Sequence, residues 1–280
     1  MKETRLHNGV KMPAIGFGVF QIPPENTQAA VEAALEAGYR MIDTASSYFN
    51  EKEVGDAVRH SGLKRDELFI STKLWVKDYE TDDARRAFDL SMQKLGLDTL
   101  DLYLLHKPYG NYYAAWRVLE NLYDEGRIRA IGVTSFTDER LQDLFLHNRI
   151  KPMVNQIETN PFFQQKEANL FLAKEGIQQE AWSPFAEGKN EIFHNPVLTA
   201  IADAHGKTVG QVILRWLNQR GVVVIPKSVR KERMAENINI FDFKLTDKEM
   251  EMVATLDTGV SPVIDANDMA TARFMSTYTF

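Results

Sequence analysis

The sequence of 280 residues contains no cysteine, which excludes disulfide bonds, thiolate zinc sites and cysteine nucleophiles. Long apolar runs are also missing, since no stretch approaches the ~20 apolar residues that cross a bilayer. The first ten residues, MKETRLHNGV, are polar and lack the apolar run of a secretory signal. These absences predict a cytoplasmic protein that neither crosses a membrane nor is anchored to one.

An excess of positive charge is lacking as well. The chain has 33 basic and 39 acidic residues and a formal net charge of -6, so its overall field repels nucleic acid. The six histidines are scattered, with no His-x-His or His-Glu-x-x-His spacing, and a metal-dependent hydrolase therefore has little support. We predict no metal site and no nucleic-acid partner.

What the chain does have is a regular alternation of short apolar segments with helical patterns. Eight segments are strand candidates: 14–17, 41–42, 68–73, 100–105, 128–133, 153–157, 177–182 and 222–225. Eight strands separated by helices, without a long linker, predict one α/β domain over residues 1–280, a (β/α)8 TIM barrel. The Asn8-Gly9 turn predicts an N-terminal β-hairpin, and the segment from Ser261 onward predicts an extended tail over the barrel.

Several residues mark where the helices begin and end. Gly38 and Gly96 each follow a helical pattern at the position where a helix end favours left-handed backbone. Thr208 and Thr246 are each followed three residues later by Gln or Glu, which is the pattern of a capping box at a helix start. The pattern thus predicts helices that end before the two glycines and begin after the two threonines.

Four polar residues follow strand candidates, where the reactive groups of a barrel gather. Asp43 follows the second strand, Tyr48 lies five residues on, Lys73 ends the third strand and His106 ends the fourth. Reduction of a carbonyl group needs a proton donor, and a tyrosine can serve if a nearby ammonium stabilises its anion. In this interpretation Lys73 acts on Tyr48, Asp43 holds Lys73, and His106 orients the substrate oxygen. Taken singly, each residue is more often structural, so the hypothesis depends on the set.

The order of motifs resembles the aldo-keto reductase superfamily over nearly the whole chain, particularly its compact bacterial members of the 2,5-diketo-gluconate reductase and aldehyde reductase kind. The matching segments are GFGVFQ (16–21), GYRMIDTASSYFNEKEVG (38–55), LFISTKLW (68–75), LYLLHKP (102–108), IRAIGVTSF (128–136), VNQIETNP (154–161), EAWSPF (180–185) and VIPKSVRKERMAENINIFDF (224–243). The resemblance implies reduction of aldehydes or ketones with NADPH, by a tetrad of Asp43, Tyr48, Lys73 and His106, in which Tyr48 is expected to be the general acid.

A Rossmann cofactor site is excluded, because Gly16 and Gly18 are followed by Gln21 where the fingerprint needs glycine. A basic cluster follows the eighth strand instead, where barrels bind phosphate. The resemblance implies NADPH contacts at Gly18 and Val19 (nicotinamide ribose), Thr134, Ser135 and Gln156 (carboxamide), Trp182 (ring stacking), Ser183 (pyrophosphate), Lys227, Ser228, Val229 and Arg233 (2'-phosphate), and Glu236 and Asn237 (adenine).

Two positions depart from the family pattern. Thr134-Ser135 stands where Ser-Asn is usual, so the amide of that asparagine is lost, and Lys107 stands where tryptophan is common. Phe20 and Trp75 are expected to line the substrate pocket. The resemblance also implies a monomer, and it leaves one alternative open, an NADPH-binding regulatory subunit that senses redox state with little turnover.

Overall fold

The structure is a computed structural model that describes residues 2–264 and 269–278. It begins with an antiparallel hairpin of β1 (Glu3–Arg5) and β2 (Lys11–Pro13), as the Asn8-Gly9 turn predicts. Gly9 has a φ of +89°, a left-handed conformation that costs glycine little. The hairpin contacts backbone that precedes the later strands, with Asn8 Nδ2 donating to Arg129 O at 2.9 Å. It therefore covers the N-terminal end of the sheet.

All eight predicted strands are confirmed, and they form one parallel sheet in sequential order. The strands are β3 (Phe17–Gly18), β4 (Met41–Asp43), β5 (Phe69–Leu74), β6 (Leu102–Leu105), β7 (Ile131–Thr134), β8 (Val154–Glu158), β9 (Gln178–Trp182) and β10 (Val223–Val224). The two edges join through a parallel bridge between Ile15 and Val224, where Gly16 N donates to Val224 O at 2.8 Å. The sheet is thus closed into a (β/α)8 barrel.

The helices that cover the barrel follow the predicted pattern. They are α1 (Pro24–Glu36), α2 (Glu51–His60), α3 (Thr81–Leu95), α4 (Tyr112–Asp124), α5 (Asp138–Leu146), α6 (Lys166–Glu175), α7 (Pro196–His205), α8 (Val209–Gln219), α9 (Lys231–Ile238), α10 (Asp247–Ala254) and α11 (Met269–Thr277). Gly96 ends α3 with a φ of +66°, and complete capping boxes open α8 at Thr208 and α10 at Thr246. The predicted helix boundaries hold to within a few residues. No helix within residues 2–264 and 269–278 is long and apolar enough to cross a membrane.

The strands owe their apolar character to burial on both faces. Every residue of β4 to β8 is buried, because side chains fill the barrel interior on one side and helices cover the other. Polar residues in these strands are consequently removed from water. Most of their side chains find hydrogen-bond partners within the barrel.

The predicted tail lies at the barrel mouth, but it is helical where an extended chain was expected. Trp75 Nε1 donates to Tyr278 O at 3.2 Å, and Thr271 and Met275 of α11 line a cavity together with Trp182. The sequence of α11, MATARFMST, contains Ala, Met and Arg, which favour helix, and no glycine or proline. Thr271, Ala272 and Met275 are half-buried at the mouth, and this partial burial adds to the local preference for helix.

The contact between α2 and α3 requires a glycine, and this gives a prediction on stability. A Cβ at Gly55 would lie 2.8 Å from Leu95 Cα and overlap the Leu95 carbonyl oxygen. We expect Gly55→Ala to lower the free energy of unfolding by about 1–3 kcal/mol, measured by urea denaturation. Gly210→Ala is the matched control, because its Cβ would meet no atom closer than 3.6 Å. Equal stability of both variants would show that the two helices separate freely.

Candidate active site

The four predicted catalytic residues meet at the C-terminal end of the barrel. Asp43 ends β4, Lys73 lies near the end of β5, and His106 directly follows β6. Tyr48 ends a short 3-10 turn, Ser46–Tyr48, in the loop after β4. Because the carboxyl ends of neighbouring parallel strands share one edge, side chains far apart in sequence converge there.

The centre of the cluster is a buried ion pair. Lys73 Nζ donates to Asp43 Oδ2 at 2.6 Å and to Thr44 O at 2.8 Å, and the Lys73 side chain is 0% exposed. Burial by itself lowers the pKa of the Lys73 ammonium, but the charges of Asp43 and Tyr48 raise it more, so the net pKa lies above its usual value. Lys73 is therefore charged at neutral pH.

Tyr48 lies against this ammonium. Lys73 Nζ is 3.4 Å from Tyr48 Oη and 5.0 Å from the centre of the phenol ring. Burial raises the pKa of the Tyr48 phenol above its usual range, while Lys73 lowers it in part. The phenol thus carries its proton at neutral pH, beside a cation that stabilises the anion left when the proton departs.

His106 completes the cluster as a neutral imidazole. Burial lowers the pKa of His106 well below its usual value, and the charges of Lys73 and Lys107 lower it further. Its Nδ1 lies 3.2 Å from Ser47 Oγ, and its ring stands edge-on to Tyr48 with the ring centres 5.6 Å apart. A neutral ring in this position can orient a substrate oxygen without adding charge.

Gln156 connects the ion pair to a second buried acid. Its Nε2 donates to Asp43 Oδ1 at 3.2 Å and to Glu180 Oε2 at 2.8 Å. Both partners are carboxyl groups, so the NH2 end of the amide faces them and the Oε1 end is left for another donor. The register of β8 and β9, in which Gln156 pairs with Glu180, brings the two side chains together.

Glu180 was not predicted as a site residue from the sequence, although it lies in the segment EAWSPF (180–185). It is 0% exposed, and its Oε1 has no hydrogen-bond partner within the described residues. Burial, and secondly the charge of Asp43, raise its pKa to about 8. An acidic residue in the middle of a predicted strand was the available signal, and the sequence does not distinguish an inward from an outward side chain where both faces are buried.

The raised pKa of Glu180 predicts a dependence of stability on pH. The unfolded carboxyl ionises near pH 4.3, whereas the folded one keeps its proton up to about pH 8, so its contribution to stability falls as the pH rises between these values. The Glu180→Gln variant lacks this dependence on pH. Its free energy of unfolding minus that of wild type should therefore be about 1–4 kcal/mol larger at pH 8 than at pH 5. Urea denaturation at both pH values measures this. An equal change at both would mean that Glu180 is ionised in the fold.

Two polar atoms near the end of β9 are buried without partners. Trp182 Nε1 and Ser183 Oγ make no hydrogen bond within the described chain, and Ser183 has a φ of +49°. Buried donors of this kind are normally satisfied, so they fit a polar ligand laid across this loop. Gly18 lies opposite, where a Cβ would stand 3.1 Å from Ile225 O, and Val19 is buried beside it.

The basic cluster lies at the start of α9. Lys227 and Arg233 are exposed, and neither forms an ion pair in the part of the chain that is described. Ser228 is buried, and its Oγ accepts from Arg230 N at 3.1 Å. The helix start adds unpaired amides that favour an anion. Val229 and Glu236 are exposed and Asn237 is buried. The predicted phosphate residues precede α9 or lie in its first turn, whereas the predicted adenine residues lie in its last turn.

Aromatic rings form the wall around Tyr48. Phe20 is 50% exposed, and its ring centre lies 4.9 Å from that of Tyr48. Trp75 is buried and stands edge-on to His106 with the ring centres 5.1 Å apart. An apolar wall open on the Phe20 side suits a small ligand with an apolar part.

The two departures from the family pattern contact each other. Lys107 Nζ lies 3.3 Å from Ser135 Oγ and 5.5 Å from the centre of the Trp182 ring. The hydroxyl of Thr134 donates to the His106 carbonyl oxygen, which leaves only its lone pairs for another donor. Within the described chain, no group of three His, Cys, Asp or Glu residues could hold a metal ion.

Comparison with known proteins matches this geometry. Residues 14–258 match the model of the Aldo/keto reductase family. The chain is 47% identical to morphine 6-dehydrogenase of Pseudomonas putida, over 96% of each chain, and 47% identical to glyoxal reductase of Bacillus subtilis, over 92% of this chain and 94% of that one. A Bombyx mori aldo-keto reductase, solved in complex with NADP, is 34% identical with a TM-score of 0.91 over 96% of each chain. The protein is an oxidoreductase that belongs to the aldo/keto reductase family.

Proposed function

We propose that this protein reduces small aldehydes, dicarbonyls and keto-sugars to alcohols with NADPH, and that Tyr48 is the general acid. It acts as a cytoplasmic monomer, in a single barrel domain over residues 1–280, with no nucleic-acid or membrane partner. The observation that carries the proposal is the hydrogen-bonded chain from Asp43 through Lys73 to Tyr48, next to a neutral His106.

NADPH, when bound, supplies the hydride that reaches the carbonyl carbon. The residues of the chain fit it at both ends. Lys227 and Arg233 are cations without an ion pair in the described chain, and they would hold the 2'-phosphate with Ser228. Ser183, whose hydroxyl has no hydrogen-bond partner among the described residues, would contact the pyrophosphate, and Asn237 would contact the adenine.

At the nicotinamide end, the flat ring of Trp182 would support the cofactor ring. Gln156 would accept a hydrogen bond from the carboxamide through Oε1, because Asp43 and Glu180 occupy its NH2 group. The hydroxyl of Thr134 would accept a second one. Gly18 would lie beside the ribose, and a side chain is disfavoured at this position because its Cβ would stand 3.1 Å from Ile225 O.

The proton moves from Tyr48 Oη to the carbonyl oxygen. Lys73 stabilises the phenolate that this leaves, and Asp43 keeps Lys73 charged and in place. The neutral imidazole of His106 orients the carbonyl oxygen toward Tyr48. Preorganised groups of this kind lower the barrier because they need not reorient as charge develops.

Reaction of the purified protein with NADPH and a panel of glyoxal, simple aldehydes and keto-sugars tests the proposal, followed by absorbance at 340 nm. We expect turnover with at least one member, and glyoxal is the first choice because a relative is named glyoxal reductase. The regulatory alternative predicts that the protein retains NADPH without consuming it. Tight NADPH binding with no turnover across the panel would therefore overturn the proposal.

A further inference from the structure

A cavity beside the catalytic cluster is lined in part by two cations that the proposed reaction does not use. It lies between the loop after β6, the start of α5 and α11, and its polar and aromatic lining includes Lys107, Tyr109, Ser135, Thr137, Arg140 and Trp182. Two of the described lining residues are cations and none is acidic. Lys107 directly follows His106, so the cavity adjoins the position of the reacting carbonyl.

Lys107 is short of partners. Its Nζ has a single hydrogen-bond contact within residues 2–264 and 269–278, at 3.3 Å to Ser135 Oγ, although an ammonium has three donors. The side chain is half-buried and forms no ion pair among these residues. Among the described residues, the carboxylate of Glu158 acts on its charge, and that group already accepts from Ser261 at 2.5 Å and from Asn160 at 3.0 Å.

Arg140 supplies the second cation. It lies in the first turn of α5, and one of its guanidinium nitrogens donates to Pro108 O at 2.5 Å. It has no ion pair in the part of the chain described. That hydrogen bond holds the guanidinium over the same loop that carries Lys107, with other donors unused.

We propose that Lys107 and Arg140 form a subsite for a substrate carboxylate, so that the preferred substrates are carbonyl compounds that also carry a carboxylate group. The inference rests on the proposed function, since the subsite positions the carbonyl that Tyr48 protonates. A carboxylate there satisfies both cations with charge-assisted hydrogen bonds. Ser135, shorter than an asparagine, leaves room for Lys107 to reach the cavity.

The test compares 4-oxobutanoate with its methyl ester, which has the same reacting aldehyde and no charge. We expect the wild-type kcat/KM to be at least tenfold higher for the acid. Lys107→Met keeps the length of the side chain and removes its charge, and it should reduce the acid-to-ester ratio about 10-fold to 100-fold, mainly through KM. Arg140 is exposed, so the Arg140→Gln variant should fold normally. It should also lower the acid-to-ester ratio of kcat/KM.

Lys174→Met is the matched control, because Lys174 is exposed near the end of α6 and should leave the ratio unchanged. An unchanged ratio in both Lys107→Met and Arg140→Gln would overturn the proposal. The alternative ligand for the two cations is a phosphate group of the cofactor. If NADPH affinity, measured by fluorescence titration, falls as much as the acid's kcat/KM, the cations bind a cofactor phosphate and the proposal is wrong.

A binding measurement separates this inference from the proposed function. Succinate contains carboxylates and no carbonyl to reduce, so its calorimetric titration into the NADP-saturated protein needs no turnover. We expect at least tenfold weaker binding to Lys107→Met than to wild type. Equal binding refutes the subsite, whereas weaker binding without reduction of either aldehyde supports it and refutes the proposed reaction.

The dependence on pH is a further readout. Burial and the charge of Lys73 lower the pKa of Lys107 to about 8, so the ammonium is charged below this pH and lost above it. KM for 4-oxobutanoate should therefore rise above pH 8, while KM for the ester should not follow it. The titratable or charged groups around Lys107 are His106, Lys73, Tyr109, Arg140 and Glu158. Parallel profiles for acid and ester would contradict the assignment.

Discussion

Tyr48→Phe is expected to lower kcat for aldehyde reduction by about 10²-fold to 10⁴-fold, because the substitution removes the proton donor and keeps the ring. The phenyl ring still packs against Phe20 and His106, so the pocket retains its shape. NADPH affinity, followed by fluorescence titration, should change less than threefold. The loss should thus appear in kcat and kcat/KM together, as for a group that acts in the transition state.

Tyr103→Phe is the matched control for this experiment. Tyr103 is a fully buried tyrosine of β6, and its hydroxyl has no hydrogen-bond partner within the described residues. Its removal should leave kcat near the wild-type value. If Tyr48→Phe also retains full turnover, Tyr48 is not the proton donor and the role of the cluster must be reassigned.

The second large effect concerns the choice of cofactor. Lys227→Ala combined with Arg233→Ala is expected to weaken NADPH binding by at least about 100-fold, since two charge-assisted hydrogen bonds of about 1.5–3 kcal/mol each are lost. NADH lacks the 2'-phosphate, so its dissociation constant should change by less than about fivefold. Fluorescence titration with both cofactors measures the difference.

A control must remove the same charge elsewhere. Lys244→Ala combined with Lys248→Ala also deletes two exposed cations, near the start of α10, and should affect neither cofactor. If the double variant of Lys227 and Arg233 loses NADPH and NADH affinity equally, this basic cluster does not recognise the 2'-phosphate.

The barrel could be predicted from the sequence because its strands are buried on both faces and read as short apolar runs, separated by helices with marked ends. Convergence of Asp43, Lys73 and His106 followed from the same fact, since parallel strands end at one edge. The helix α11 was missed, because its residues are at most half-buried and show little amphipathic pattern.

Side-chain contacts between neighbouring strands could not be predicted from the sequence, because they depend on the register of the strands. Gln156 meets Glu180 since the two residues pair across β8 and β9. Leu105 of β6 pairs with Val133 of β7. Two residues after each of them, Lys107 contacts Ser135. Both departures from the family pattern were visible in the sequence, yet only the register shows that they form one contact.

Transfer of deuterium tests the central claim most directly. NADPH labelled with deuterium at C4 of the nicotinamide, prepared separately as each epimer, is reacted with glyoxal or 4-oxobutanoate and the alcohol is examined by mass spectrometry. We expect one epimer, and not the other, to deliver its deuterium to the former carbonyl carbon, because a fixed nicotinamide ring exposes only one of its faces to the substrate. Alcohol formed without deuterium from either epimer would contradict direct hydride transfer.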